Sequence, residues 1–257
     1  MSSVKVQGIV VGETAFKASS KILKVFTRDL GIISIMSRGC RNIKSALHEG
    51  SNKLIYGDFT INYKENSIST LVSIDILDNF KNIVMDYHDI DKKMYSFYIV
   101  DLAIQVINYK KISNEDDNGI YDLVISSIKK INEGLNPIIL YDIVRLKLLD
   151  DLGVKPSLDG CSVCGSSNIF TLSSNNFGYI CKDCYEEGKI VKEDTIKFIR
   201  MLYYVDVERI KKLDIEENIL KEIEEFLDEY YIDNTGIFLK SNKNKKVLDR
   251  VKSIIES

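Results

Sequence analysis

Two Cys-x-x-Cys pairs constrain this chain more than any other feature. They are Cys161-Ser162-Val163-Cys164 and Cys181-Lys182-Asp183-Cys184, separated by the sixteen residues Gly165 to Ile180. A two-residue spacer lets both thiolates of a pair point into one half of a tetrahedron, and their softness favours Zn²⁺ over harder ions. Gly165 follows the first pair, where a cysteine knuckle needs a residue tolerant of positive φ. Phe170-Thr171-Leu172 and Phe177-Gly178-Tyr179-Ile180 flank Ser173-Ser174-Asn175-Asn176, which predicts a short hairpin between the pairs. Four cysteine ligands close the coordination sphere, so the zinc is expected to hold structure rather than perform chemistry. The competing readings are an iron–sulfur site, a redox-active pair and two disulfides. Disulfides need an oxidising compartment, and no signal-like segment precedes Val4.

The rest of the chain bounds the surroundings of that site. At 257 residues and 45% hydrophobic content it can bury one large core or two smaller ones. The longest apolar stretch, Tyr95 to Ile107, is interrupted by Asp101 and Gln105, so no membrane span is expected and a cytoplasmic protein is the default. The net charge of −3 is unevenly spread. Residues 1–57 carry nine Lys and Arg against three Asp and Glu, a surplus of six, and the remainder is acidic. A basic head on an acidic body concentrates favourable potential for a polyanion on one module.

Within the head, strands are expected at Val4–Val11, Lys21–Arg28, Ile32–Arg38, Leu54–Tyr63 and Ile68–Ile76. Val4, Val6, Ile9 and Val11 are expected to face inward, Gly8 to mark a bulge, and Gly12 to Ser20 to form a loop. Five short strands in about eighty residues predict a small OB-type barrel, a fold that binds single strands by a basic groove and aromatic faces. Phe16, Phe26, Tyr56 and Phe59 are the aromatic candidates, with barrel core as the competing role. After Asp78 the periodicity turns helical. Met94–Ile107 is apolar nearly all round. Ile120 to Ile131 follows helical spacing, with acids 115–117 at its start. Asn136-Pro137 caps a helix whose apolar stripe is Leu140, Ile143, Val144 and Leu148. Further helices are expected around 196–203, 220–230 and 247–255. The fold class is therefore α+β: a barrel over 1–80, and a helical domain over 81–257 with a zinc-binding insertion at about 158–190.

The head's sharpest motif is Arg38-Gly39-Cys40-Arg41-Asn42-Ile43-Lys44-Ser45. Guanidinium groups at 38 and 41 and an ammonium at 44 suit phosphate oxygens along a backbone, and a solvated loop is the alternative. Cys40 reads as a loop or core thiol. No nucleotide loop of the G-x-x-x-x-G-K-[ST] or G-x-G type occurs, so no nucleotide cofactor is expected. His48 and His88 have no obvious nucleophile partner, and His48-Glu49-Gly50 lacks the acid of a deaminase element. The carboxylates read as solvated faces, and no catalytic constellation is expected.

These motifs, in this order, resemble those of the RecO recombination mediators of bacteria. The likeness rests on Gly8-Ile9-Val10, on Thr27-Arg28-Asp29-Leu30-Gly31-Ile32-Ile33 and on the Arg38 to Ser45 motif. It continues through the cysteine pairs and Leu239-Lys240-Ser241. The resemblance implies an OB barrel, a helical body with a zinc knuckle, and a nucleoid-associated DNA repair protein. It implies binding of single- and double-stranded DNA and annealing of complementary strands. It also implies action with RecR and single-stranded DNA-binding protein to load RecA. Carried over by position, it points to Arg38, Arg41 and Lys44 for DNA contact, with Lys21, Lys24 and Arg28 beside them. The acidic body departs from a DNA path across the whole protein. Lys240, Lys243, Lys245, Lys246 and Arg250 gather five positive charges that suit the acidic tail of single-stranded DNA-binding protein. From another class, a zinc-ribbon regulator or assembly factor whose barrel binds RNA or protein is the alternative.

Overall fold

Alternating apolar residues build the head, and their registers close it on itself. The computed structural model describes residues 3–86, 89–110 and 118–241. Strands β1 (Ser3–Phe16), β2 (Ser20–Thr27), β3 (Gly31–Ser37), β4 (Tyr56–Asn62) and β5 (Ser69–Asp78) form a closed barrel in the order β1-β2-β3-β5-β4, that of an OB-type barrel. All pairings are antiparallel except β3 with β5, where Ile35 meets Ser69. Val6, Val10, Leu23, Val25, Ile35, Ile55, Phe59, Ile61 and Leu71 fill the interior.

Three expectations about the first strand are corrected: its end at Val11, the bulge at Gly8 and the inward facing of Ile9 and Val11. The strand runs on to Phe16 instead of ending at Val11, because its first half pairs with β4 and its second with β2. The bulge lies between Val10 and Gly12, not at Gly8, and it turns Val10 rather than Val11 into the core. Gly8 serves close packing instead: a Cβ there would sit 2.8 Å from the carbonyl oxygen of Phe26.

The other face of the barrel is partly covered. Ile9 pairs with Phe26 on one side and Tyr56 on the other, giving a row that points away from the interior. Helices α1 (Lys81–Val84) and α3 (Asn118–Asn132) belong to the same compact unit as the barrel. Tyr121 of α3 meets Phe26 edge-on at 5.1 Å, and Phe80 lies 6.4 Å from Tyr56. Burial raises the hydroxyl pKa of both Tyr121 and Tyr56 above the ordinary tyrosine value. The acids expected at the start of α3, residues 115–117, lie outside the described residues.

The second compact unit holds most of α2 (Ile90–Lys110), then α4 (Pro137–Asp151), the hairpin β6 (Thr171–Ser173) and β7 (Gly178–Ile180), α5 (Glu193–Tyr204) and α6 (Glu217–Asn234). Asn136 caps α4 as expected: its side chain accepts from the N–H of Ile138 at 2.9 Å and of Ile139 at 3.4 Å, with Pro137 in the first turn. The helix is buried far beyond the expected stripe, and two of its buried side chains are charged. Asp142 and Arg145 pair within the helix, and Arg145 reaches Asp228 of α6 at 2.6 Å. Not every carboxylate is a solvated one. Burial pushes the Asp142 carboxyl up to about 7 against the pull of Arg145. The carboxylates in turn keep the Arg145 charge in place despite its own desolvation. The expected last helix, 247–255, lies outside the described residues, as does His88.

Removing one partner of such a pair leaves an uncompensated buried charge. Arg145→Met should lower the unfolding free energy by about 3–5 kcal/mol, measured by urea denaturation. The double variant Asp142→Leu/Arg145→Met should recover most of that loss. An Arg145→Met protein as stable as the parent would show that the pair carries no such constraint.

Candidate metal centre and nucleic-acid interface

The metal centre is built locally. Leu158 to Tyr185 folds back through β6 and β7, with Ser162 N–H donating to Tyr179 O and Gly165 N–H to Cys161 O, each at 2.8 Å. Gly165 adopts φ +75°, a left-handed turn that redirects the chain just after Cys164. All five cysteines are free. The sulfurs of Cys161, Cys164, Cys181 and Cys184 lie within 4.8 Å of one another, and those of Cys164 and Cys181 are 3.6 Å apart. Four thiolates bound tetrahedrally at ~2.3 Å stand roughly 3.8 Å from each other, so the cluster is already near the size of a one-ion site.

Its protonation suits a cation. Backbone hydrogen bonding from Cys181 and then Cys164 holds the Cys161 thiol down to about 6, so it enters as a thiolate near neutral pH. Hydrogen bonding to Cys164 and then to Cys181, with burial, pushes Cys184 up to about 12. A divalent cation held by these four cysteines would favour their thiolate forms. These cysteines could hold a metal ion. Ile180 packs between Cys161 and Cys181, and Tyr179 donates to the Ile196 carbonyl of α5 at 3.1 Å. Arg200 of α5 donates to Leu158 O at 3.0 Å and Asp159 at 2.9 Å, so the lobe is stitched to the helical body.

The barrel's basic residues sort into two groups. Lys5 sits 3.2 Å from Asp58 and 3.1 Å from Asp75. Lys21 is held by Glu13 at 2.9 Å and donates to Ser51 O and Asn52 Oδ1 at 3.1 Å. Arg28 pairs with Asp122 and lies over the Tyr121 ring, 5.3 Å from its centroid. Lys24, Arg38, Arg41 and Lys44 are exposed and make no ion pair among the described residues.

Arg38, Arg41 and Lys44 lie on one turn, tied to the β1–β2 connection. Arg41 N–H donates to Ser19 O at 2.9 Å, and its guanidinium donates to Lys17 O and Ala18 O at 3.3 and 3.1 Å. This brings exposed Lys17, which sequence reasoning missed, beside them. Its signal was a lone cation in the turn between two strands. The aromatic candidates are mostly committed elsewhere. Phe59 fills the barrel, and Phe26 and Tyr56 lie under α3 and α1. Phe16 is half-buried beneath the Lys17 ammonium, 5.5 Å from its ring centre. Cys40 is buried, and its carbonyl is 2.8 Å from His48 Nδ1. Of the proposed tail-binding cluster, Lys240 pairs with Asp101. Lys243, Lys245, Lys246 and Arg250 lie outside the described residues.

Comparison with known proteins agrees with this architecture along nearly the whole chain. The family described as Recombination protein O N terminal matches residues 1–80, and Recombination protein O C terminal matches residues 87–243. The chain belongs to the RecO family. Similar proteins include the DNA repair protein RecO of Listeria welshimeri, 28% identical over 256 residues covering 98% of this chain and 97% of that one. The DNA repair protein RecO of Bacillus subtilis is 28% identical over 254 residues, 97% and 95% of the two chains. RecO membership places the chain among DNA repair and recombination proteins. None of the helices among the described residues is long and apolar enough to cross a membrane.

A bound metal should be measurable as one ion per chain by elemental analysis. Cys161→Ser or Cys181→Ser should then lower the melting temperature, because metal binding to such a lobe contributes directly to folding. Chelation of the parent should expose the same thiols to alkylation. Folded, reduced protein without metal would remove the site.

Proposed function

We propose that this protein is an ATP-independent DNA-annealing mediator whose barrel binds single- and double-stranded DNA. The observation that carries this reading is the sorting of charge on the barrel. Lys5, Lys21 and Arg28 are already neutralised by carboxylates, while Lys17, Arg38, Arg41 and Lys44, on two connections stitched together, make no ion pair among the described residues. Exposed ion pairs contribute only about 0–1 kcal/mol, so Arg28 can still be recruited by a phosphate, but the unpaired group needs no such exchange. Cations aimed at a backbone bind without regard to sequence, as an annealing protein requires. Neutralising two strands lets base pairing supply the free energy, and no covalent step is needed.

Family membership supports the wider setting: RecR and single-stranded DNA-binding protein as partners, RecA loading as outcome, and a cytoplasmic, nucleoid-associated location. Lys240 with Lys243, Lys246 and Arg250 is the group we assign to the acidic tail of single-stranded DNA-binding protein. For the metal we propose structural Zn²⁺ on Cys161, Cys164, Cys181 and Cys184. Sulfurs this close suit one ion better than a multi-iron cluster, whose interposed atoms would hold the cysteines further apart. A closed four-thiolate shell leaves no position for a substrate.

Annealing of complementary oligonucleotides, followed by fluorescence with and without ATP, tests the central claim. Equal rates are expected in both, with a decline as salt rises. Arg38→Glu/Arg41→Glu/Lys44→Glu should weaken single-strand binding across all sequences. Each lost phosphate contact should flatten the log–log salt dependence by roughly 0.7. Absence of annealing at low salt, or a triple variant that binds like the parent, would overturn the reading.

A further inference from the structure

Ile43 stands out on the cationic turn. It is 83% exposed, more than any other large hydrophobic side chain among the described residues, and it sits between Arg41 and Lys44. The turn that presents it is well fastened. Asn42 N–H donates to Gly39 O at 3.1 Å, Ser45 N–H to Asn42 O at 2.9 Å, and Lys44 N–H to the Asn42 side chain at 3.0 Å. Arg41 is bonded to the β1–β2 connection through both its backbone and its guanidinium, and His48 holds the Cys40 carbonyl. With its flanks fixed in this way, Ile43 is held outward by the turn itself rather than left to wander.

The surroundings decide what could cover it. An apolar protein surface closing over Ile43 would also desolvate Arg38, Arg41 and Lys44, which is unfavourable without paired anions. A single strand of nucleic acid meets both demands, because it presents phosphates for the cations and bare base faces for the apolar tip. Aliphatic side chains are known to wedge between bases and part them. We propose that Ile43 is an apolar wedge inserted between adjacent unpaired bases while the neighbouring cations hold the flanking phosphates. This rests on the reading of the barrel as the DNA-binding module, and it adds a contact that charge alone does not supply.

The chain contains no tryptophan, so Ile43→Trp places a single indole at the tip. On adding an oligothymidylate its emission should be quenched and shielded from acrylamide. A single indole placed at Ile232 of α6, itself exposed, should report neither change. Ile43→Ala should weaken single-strand binding about five- to tenfold with the salt slope unchanged, since apolar contact and no charge is lost. Ile43→Leu should restore affinity. Melting temperatures should match the parent, because Ile43 buries little of its surface against the described residues. The wedge is overturned if Ile43→Ala binds like the parent, if the salt slope flattens with it, or if the indole at 43 reports no more than the one at 232. Should the parent itself bind no oligonucleotide, the reading of the barrel fails first, and that result is distinct from all of these.

Discussion

The cationic end depends on β1 serving two partners. A single strand paired with β4 over its first half and with β2 over its second must bend between them, and the bulge at Val10/Gly12 supplies the bend. Closure then places the β1–β2 connection against the residues that follow β3, where Arg41 ties the two together. A cation in one turn, Lys17, thereby joins cations from another that is more than twenty residues away. The same closure turns Ile9, Phe26 and Tyr56 outward as a row, and that row is what Tyr121 and Phe80 cover.

The helical unit is organised around α4, which is buried on nearly every side. A helix in that position has no wet face for a charge, yet it carries Asp142 and Arg145. They persist because their opposite charges pair and Arg145 reaches Asp228 at the edge of the buried region, even though Asp142 Oδ2 and Arg145 Nε find no hydrogen-bond partner among the described residues. A buried pair of this kind constrains which way α6 can pack more than it adds to stability. The cysteine lobe attaches to α5 through Tyr179, Arg200 and Asp159, so order among the cysteines is transmitted to that helix.

Charge on the barrel shows why a count of basic residues overstates a binding surface. Three of the head's cations lie next to carboxylates, three of which, Asp58, Asp75 and Asp122, come from the acidic part of the chain beyond residue 57. The potential left for a polyanion is therefore narrower than the net surplus of six and is centred on a turn. That turn is held by backbone hydrogen bonds, which cost little to keep ordered when a ligand arrives.

Local features were legible in the sequence because their physics is local. Cysteine spacing, the Asn136-Pro137 cap, the hairpin between the cysteine pairs and the alternation of the strands act within a few residues, and the fold class followed from them. The strand registers followed less well, since β1 runs past Val11 along β2 while its first half pairs with β4 about fifty residues away. The placement of α3 with the barrel, the reach of Arg145 to Asp228 and the neutralisation of Arg28 by Asp122 are long-range pairings. No window of sequence contains both members. Which cations stay free, and that Ile43 stands uncovered among them, was decided only when the barrel closed, because exposure is a property of neighbours brought together by the fold.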